Sequence, residues 1–236
     1  MAGVKALTFD VFGTVVDWRS SVILEGEELS RRKGFDTDWE SFADTWRREG
    51  YAGGMEKVRR GELPWMKVDA LHRIMLDRLL AERRITGLSE EEVDQFNRVW
   101  HRLRPWPDVP KGLDRLRARF IVAALSNGNV ALLTNMAKNG GFSWDCVLSA
   151  ELAGVFKPDP RCYQTAAEIL DLRPEQVMMV AAHKADLRAA QAVGFKAAFV
   201  LRPDEFGPAG TPDLAPDPSF DYVAADLLDL ARQLGC

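Results

Sequence analysis

Apolar and polar residues alternate differently in the two parts of the chain. Residues 4–9 form a short apolar run that predicts one buried strand. Between about residues 17 and 104 the apolar positions follow helical spacing, as in Leu71, Met75 and Leu79, and no strand is predicted there. Helices are expected over residues 22–33, 39–49, 68–84 and 90–102.

After residue 105 the pattern changes to alternating strands and helices. Strands are predicted over 120–125, 146–148, 176–181 and 197–201, and helices over 111–118, 130–138, 160–170, 185–193 and 226–234. Residues 203–218 hold five prolines and two glycines, which indicates an irregular loop. This rhythm predicts a Rossmann-like α/β core with a parallel sheet. We expect residues 1–16 and 105–236 to form that core and residues 17–104 to form an inserted helical cap.

Composition narrows the class of protein. The 236 residues are 47% hydrophobic and 28% charged, which is typical of a globular chain. The net charge of −4 gives no positive field for a nucleic-acid partner. None of the three cysteines belongs to a CxxC pair, so a zinc site has no support, and no apolar run is long enough to cross a membrane. We therefore expect a soluble, cytoplasmic protein without a membrane partner.

Four polar clusters fall at or just after predicted strand ends. They are residues 10–14, Ser126 with Asn127, Lys157, and residues 183–186. Ligands of open parallel sheets bind beyond the carboxyl ends of the strands, so these clusters should meet at one edge. They supply two carboxylates, hydroxyls, an amide and an ammonium. That set suits nucleophilic catalysis by a carboxylate that a lysine keeps ionised.

The order and spacing of these clusters resemble the haloacid dehalogenase superfamily. In that superfamily the first strand ends in an aspartate nucleophile followed by Gly-Thr, which Asp10 and Gly13-Thr14 match. The Ser or Thr, the Lys and the later acid of the family correspond to Ser126, Lys157 and Asp186. The resemblance covers essentially the whole chain and implies the same fold, with a cap inserted after the first strand.

This chain differs from the phosphatases of the superfamily at residues that those enzymes need for phosphate-ester hydrolysis. Those phosphatases carry a second aspartate two residues after the nucleophile, which protonates the leaving alkoxide, whereas this chain has Phe12. They also hold magnesium through acids at positions where this chain has Ala182 and His183. A halide leaves without a proton or a metal. The substitutions therefore favour carbon–halogen cleavage with no metal and no cofactor.

A closer resemblance is to the (S)-2-haloacid dehalogenases. Phe12 matches the aromatic residue that these enzymes have before Gly-Thr, and residues 125–128 match their Leu-Ser-Asn-Gly motif. Residues 157–159 match their Lys-Pro-Asp motif, and Tyr163 matches the Tyr that follows it. Their cap arginine, which follows a tryptophan, matches Arg47. This chain departs from the family at Ala181 and His183, where Ser and Asn are usual, and this leaves the preferred haloacid and the geometry of hydrolysis open.

The resemblance implies two chemical steps on a small halogenated carboxylate. Asp10 attacks the α-carbon and expels halide, and water then attacks the aspartyl ester to release a 2-hydroxy acid. Lys157 lowers the pKa of Asp10, and Asp186, with His183 as a second candidate, orients or activates the water. Further residues are predicted at the site. Arg47 and Asn127 would stabilise the halide, and the backbone of Val11 and Phe12, with Ser126 and Thr14, would hold the substrate carboxylate and the nucleophile. Trp65 is predicted as a pocket wall over Asp10, and Tyr163 as a hydrogen-bond donor or a packing residue.

Two other functions stay open at this point. The first is a magnesium-dependent phosphatase of the same superfamily, against which Phe12 argues. The second is a binding or phospho-acceptor module without turnover, since receiver domains also combine Asp, Ser or Thr, and Lys on a parallel sheet. Such a module has no use for a long cap. The family resemblance also leads us to expect a homodimer formed through the cap.

Overall fold

A six-stranded parallel sheet lies at the centre of the structure, a computed structural model that describes residues 3–236. The strands are β1 (Ala6–Phe9), β2 (Val16–Asp17), β3 (Arg104–Pro105), β4 (Ile121–Ser126), β5 (Cys146–Ser149), β6 (Val177–Ala181), β7 (Lys196–Val200) and β8 (Tyr222–Ala224). The sheet has the order β5-β4-β1-β6-β7-β8, and each neighbouring pair is parallel. β1 is fully buried because it has a strand on either side and helices over both faces. The predicted α/β class is confirmed.

The stretch that follows the first strand is helical, as predicted. It contains α1 (Trp18–Lys33), α2 (Trp39–Thr45), a π-helix (Trp46–Ala52), α3 (Gly53–Arg59), α4 (Val68–Glu82), α5 (Glu90–Asn97) and a 3₁₀-helix (Arg98–His101). The helix predicted over 39–49 is wrong in one respect, because the α-helix changes at Trp46 to the wider π form. These helices pack on an aromatic interior that includes Phe42, Trp46, Phe96 and Trp100.

The remaining helices cover the two faces of the sheet. They are α6 (Val109–Arg117), α7 (Val130–Gly140), α8 (Ala150–Ala153), α9 (Pro160–Ile169), α10 (Lys184–Ala192) and α11 (Leu227–Gln233), with a 3₁₀-helix at Pro174–Gln176. Residues 203–218 contain neither helix nor strand, as predicted. Within residues 3–236, no helix combines the length and the apolarity that a bilayer crossing demands.

A short antiparallel ladder joins the two segments in which the chain passes from the sheet to the inserted helices and back. β2 pairs with β3, so that Val16 lies opposite Pro105 and Asp17 opposite Arg104. The backbone N–H of Arg104 also donates to the hydroxyl of Ser21, at 2.9 Å. The boundaries predicted from the sequence fall within this ladder. We propose it as the border between the core and the cap.

The strand order determines which loops meet. β1 lies between β4 and β6, and all three point the same way. The residues after their carboxyl ends therefore lie side by side: Asp10 after β1, Ser126 at the end of β4, and His183 after β6. Asp10 is bound to β6 through its own backbone, since its N–H donates to the carbonyl of Val180 at 3.0 Å.

Candidate active site

The Asp10 carboxylate accepts hydrogen bonds on both oxygens and is only 6% exposed. Its Oδ2 accepts from the hydroxyl of Thr14 at 2.9 Å and lies 2.9 Å from Nδ1 of His183. Its Oδ1 lies 3.1 Å from the ammonium of Lys157. Burial by itself raises the pKa of Asp10, but Lys157, His183 and Thr14 outweigh it and hold that pKa well below its usual range. Asp10 is therefore ionised and oriented, as a nucleophile has to be.

Lys157 bridges two buried carboxylates. Its Nζ contacts Asp10 Oδ1 at 3.1 Å and Asp186 Oδ2 at 2.5 Å. Burial lowers the pKa of the ammonium, but the charges of Asp10 and Asp186 raise it above its ordinary value. The loop that carries Lys157 is held by Asn127, whose Oδ1 accepts from the Lys157 backbone N–H at 2.7 Å. The lysine therefore remains charged at any physiological pH.

Tyr163, predicted among the residues that touch substrate, forms a hydrogen bond to Asp186. Its hydroxyl donates to Asp186 Oδ1 at 2.5 Å, and its side chain, on the buried face of α9, is fully buried. Burial raises the pKa of Asp186, although Lys157 opposes that effect. Of the two roles that the sequence left open for Tyr163, the structure shows a hydrogen-bond donor. The hydrogen bond goes to Asp186, which in turn contacts Lys157.

His183 joins Asp10 to an acid that the motifs did not indicate. Its Nδ1 lies 2.9 Å from Asp10 Oδ2, and its Nε2 lies 3.0 and 3.1 Å from the two carboxylate oxygens of Glu205. Burial lowers the pKa of His183, but the hydrogen bonds and charges of the two acids raise it to about 10. Glu205 lies in the proline-rich loop after β7. The only sequence signal for it is its position shortly after a strand end.

Arg47 lies over Phe12 and belongs to the π-helix. Its guanidinium carbon is 4.0 Å from the ring centre of Tyr51, and 5.6 Å from the ring centres of both Phe12 and Trp18. Its Nη1 is buried and has no hydrogen-bond partner among residues 3–236. An unpaired buried cationic nitrogen surrounded by aromatic faces is suited to receive an anion. π-Helical turns occur often at functional sites, and this one places Arg47 and Tyr51 together.

A cavity of about 570 Å³ opens between the cap and the sheet edge. Its wall includes Trp18, Arg47, Tyr51, His183 and Glu205. His183 links this cavity to the carboxylate of Asp10, which is itself almost fully buried.

The prediction that Trp65 lines the pocket over Asp10 is wrong. Trp65 stacks on Phe156, with ring centres 6.4 Å apart, and lines a separate cavity together with Val58 and Arg161. The tryptophan in the wall of the first cavity is Trp18, whose Nε1 donates to Glu205 at 3.4 Å.

The remaining predicted residues lie around the nucleophile. Thr14 accepts from the N–H of Ala182 at 2.9 Å and so connects the Asp10 loop to the loop after β6. Ser126 is fully buried, and its hydroxyl accepts from the N–H of Gly128 at 3.3 Å. The side chains of Val11 and Phe12 are fully buried. Roles for these residues, and for Asn127 with the halide, stay predictions.

The charges of the site are arranged for attack by a carboxylate. Lys157 already lies between Asp10 and Asp186, and Phe12 presents a phenyl ring where a proton donor would be needed for an alkoxide. Within residues 3–236, no group of three or more His, Cys, Asp or Glu side chains has an arrangement that could hold a metal ion. Ionised Asp10 and a nearby unpaired Arg47 nitrogen supply a nucleophile and an anion acceptor.

Comparison with known proteins agrees with this geometry. Residues 4–194 match the model of the haloacid dehalogenase-like hydrolases, and the chain belongs to that family. It is similar to the structure of the L-2-haloacid dehalogenase PA0810, with 46% identity, a TM-score of 0.94 and 99% of each chain covered. It is also similar to the defluorinating L-2-haloacid dehalogenase Rha0230, with 43% identity, a TM-score of 0.95, and 99% of this chain and 96% of the other covered. (S)-2-haloacid dehalogenase 1 of Pseudomonas sp. (strain CBS-3) is 28% identical, and the match covers 86% of each chain.

Proposed function

We propose that this protein is a hydrolytic dehalogenase that releases halide from small 2-haloalkanoic acids and yields 2-hydroxy acids. The observation that carries the proposal is the buried, ionised Asp10, paired with Lys157 at 3.1 Å and followed by Phe12 in place of an acid. The similarity to L-2-haloacid dehalogenases over nearly the full chain supports it.

The first step is displacement at the α-carbon. A carboxylate oxygen of Asp10 attacks this carbon in line with the halide, the carbon–halogen bond breaks, and an aspartyl ester forms. Arg47 receives the departing halide on its unpaired Nη1, and the aromatic faces of Phe12 and Tyr51 shield the ion from water. The (S) configuration of the substrate is inferred from the relatives.

The second step is hydrolysis of the ester. Water attacks the carbonyl carbon of Asp10, and the alkoxide of the 2-hydroxy acid leaves and takes up a proton. Hydrolysis thus regenerates the Asp10 carboxylate, which pairs again with Lys157. Two groups next to Asp10 are candidates to activate the water, namely Asp186 and His183, and both have a raised pKa.

Phosphate-ester hydrolysis fits the site less well. An alkoxide leaving group needs a proton, and the fully buried phenyl ring of Phe12 has none to give. Where the phosphatases of the superfamily would hold magnesium through acids, this chain has Ala182 and His183, which supply no carboxylate. The site is therefore better suited to a leaving group that departs as a stable anion.

Halide release tests the proposal directly. The protein is incubated with (S)- and (R)-2-chloropropionate and with haloacetates in the presence of EDTA, and halide is measured. A parallel reaction measures phosphate release from an aryl phosphate with magnesium. We expect halide release that EDTA does not affect and that Asp10→Asn abolishes. Phosphate release without halide release would contradict the proposal.

An isotope experiment identifies the nucleophile. A single turnover in ¹⁸O-water with excess enzyme should place the label in Asp10, because water attacks the carbonyl carbon of the ester. The labelled residue is found by peptide mass spectrometry. Label only in the 2-hydroxy acid would instead mean direct attack of water on the substrate.

We propose in addition that the protein is cytoplasmic and forms a homodimer through the cap. The family resemblance supports the dimer, and the lack of an apolar run long enough to cross a membrane is the basis for the cytoplasmic expectation. Size-exclusion chromatography with light scattering should give a mass of twice the 26.4 kDa of the chain, and a monomer would contradict the dimer.

A further inference from the structure

His183 and Glu205 form a hydrogen-bonded pair that ends on the nucleophile. Both Glu205 oxygens lie within 3.1 Å of Nε2 of His183, and the opposite ring nitrogen lies 2.9 Å from Asp10 Oδ2. Glu205 is 2% exposed, and a buried carboxylate needs partners of this kind. Hydrogen bonds therefore connect Glu205 to His183 and His183 to the reacting carboxylate of Asp10, the arrangement in which an acid orients a histidine base.

The fold holds Glu205 firmly against the Asp10 loop. Its N–H donates to the carbonyl of Arg202, and the guanidinium of Arg202 donates to the carbonyl of Thr14 at 2.8 Å. Arg202 also forms a buried two-pronged ion pair with Asp108, at 2.8 and 2.9 Å. Gly13 has a φ of +86°, and a Cβ there would lie 2.1 Å from Glu205 Oε1. The Asp10 loop thus leaves room for this carboxylate.

Asp186, the other candidate base, has both oxygens occupied. Oδ1 accepts from Tyr163 and Oδ2 from Lys157, each at 2.5 Å. A water at Asp186 would have to share an oxygen that already accepts a strong bond. The side chain of His183 is 32% exposed and lines the cavity that water can enter. Its Nδ1 lies on the carboxylate whose carbon the water must attack.

We propose that His183, oriented by Glu205, is the general base that activates water against the Asp10 ester, and that formation of this ester is what makes His183 available. The inference rests on the proposed function, since it concerns the second step of the same reaction. Before the reaction, His183 donates from both nitrogens to two carboxylates and cannot accept a proton. Esterification neutralises Asp10, so one of the two anions that keep His183 protonated is lost.

The proton balance closes over one cycle. When the ester forms, His183 gives its Nδ1 proton to solvent, and this is the proton that the overall hydrolysis releases. The neutral ring then takes a proton from water as the water oxygen bonds to the Asp10 carbonyl carbon. That proton passes to the leaving alkoxide when the ester bond breaks. Asp10 is left as a carboxylic acid, and it returns its proton to His183.

The charges around His183 favour this change. Within residues 3–236, Glu205 is after esterification the only anion that hydrogen-bonds to His183, and Lys157 lies on the other side of Asp10. The other charged groups in the cavity wall come from the cap: Arg19, Asp44, Arg47 and Arg48. Loss of the Asp10 charge therefore lowers the pKa of His183 from its resting value, and Glu205 compensates the imidazolium that forms during hydrolysis.

The two steps can be measured separately in Glu205→Gln. Enzyme is mixed rapidly with (S)-2-chloropropionate between pH 6 and 10 and then quenched. Halide release reports ester formation, and the intact mass of the protein reports the ester itself. We expect ester formation near the wild-type rate, ester decay slower by about 100-fold, and accumulation of alkylated protein. The pH midpoint of ester decay should move lower than in wild type, because the imidazolium loses its remaining anion.

His183→Asn is the second variant, and Glu151→Gln is the matched control. His183→Asn should accumulate the ester and lose the pH midpoint of its decay. Glu151 is a partly buried acid that accepts from the N–H of Val130 and pairs with Lys67, away from Asp10. Its variant should match wild type in both steps. A halide burst in each variant shows that its active site has folded.

The outcomes separate the inference from the function on which it rests. Wild-type ester decay with an unchanged pH midpoint in Glu205→Gln or in His183→Asn would overturn the base assignment and leave the dehalogenase intact. Absence of halide release from the wild-type protein would overturn the proposed function itself, and the base assignment with it.

Discussion

The hydroxyl of Tyr163 donates to Asp186 across 2.5 Å, and the second oxygen of the same carboxylate accepts from Lys157 across another 2.5 Å. Asp186 is therefore held from both sides, and Tyr163 acts on Lys157 through it. Because Lys157 also contacts Asp10, this fully buried phenol positions the cation next to the nucleophile without touching it.

Tyr163→Phe removes this support and keeps the ring. We expect kcat for halide release to fall about 10-fold with little change in KM, because one hydrogen bond to a charged group contributes roughly 1.5–3 kcal/mol, only part of which reaches Asp10. Tyr222→Phe, on the edge strand β8, is the control and should retain wild-type kinetics. Steady-state kinetics of the two variants measure kcat and KM. An unchanged kcat in Tyr163→Phe would show that Lys157 needs no positioning.

Lys157→Met leaves two buried carboxylates without their shared cation. Burial then raises the pKa of Asp10 with less opposition, so Asp10 is ionised only at higher pH and the acid limb of the rate profile should move upward. Removing one side of a buried pair should also cost about 3–5 kcal/mol of unfolding free energy. Lys67→Met is the matched control, because Lys67 pairs with Glu151 while 54% exposed, and its loss should leave the free energy of unfolding nearly unchanged.

His72→Phe should increase resistance to acid. His72 is fully buried against Trp100, with ring centres 4.2 Å apart, and within residues 3–236 neither of its ring nitrogens has a hydrogen-bond partner. Burial lowers its pKa to about 3. The unfolded chain takes up this proton near pH 6.5 and the folded chain does not, so stability is lost as pH falls from about 6.5 towards 3, at up to about 1.4 kcal/mol per pH unit.

Urea unfolding between pH 3 and 8 measures this effect. The wild-type free energy of unfolding should decrease more steeply below pH 6.5 than that of His72→Phe, while the two slopes agree above pH 7. Equal slopes at acid pH would mean that His72 takes up its proton within the folded protein.

Phe12→Asp alone should not create a magnesium-dependent phosphatase. The new acid supplies the missing proton donor, but Ala182 and His183 still supply no carboxylate for a magnesium ion. Phosphate release from an aryl phosphate should stay at background, with circular dichroism used to confirm folding. Strong magnesium-dependent release would show that a metal binds at this site without an acid at position 182 or 183.

The sequence alone is sufficient to predict that Asp10, Lys157 and Asp186 meet. Asp10 follows a clear strand, Lys157 precedes the clear helix α9 and Asp186 lies in the first turn of α10, and parallel strands bring their carboxyl ends to one edge. β8 could not be predicted, since three residues are too short to show an alternating pattern.

The parts of the site that were not predicted depend on long-range packing. Glu205 lies in a proline-rich loop without periodicity, and long-range contacts, including those of Arg202 with Asp108 and with the Thr14 carbonyl, hold it at His183. Trp65 was chosen on its aromatic character alone. Helical spacing shows which side chains are buried in the cap, but it does not show which of them face the sheet.

The seven-residue π-helix makes the anion site sensitive to chain length. A π turn contains one residue more than an α turn, so deletion of a single residue between Trp46 and Ala52 would let the helix continue in the ordinary register. A deletion between Arg47 and Tyr51, whose side chains now stack at 4.0 Å, would reduce their separation from four residues to three. A change in length at this point would alter recognition of the leaving ion and leave every motif on the sheet untouched.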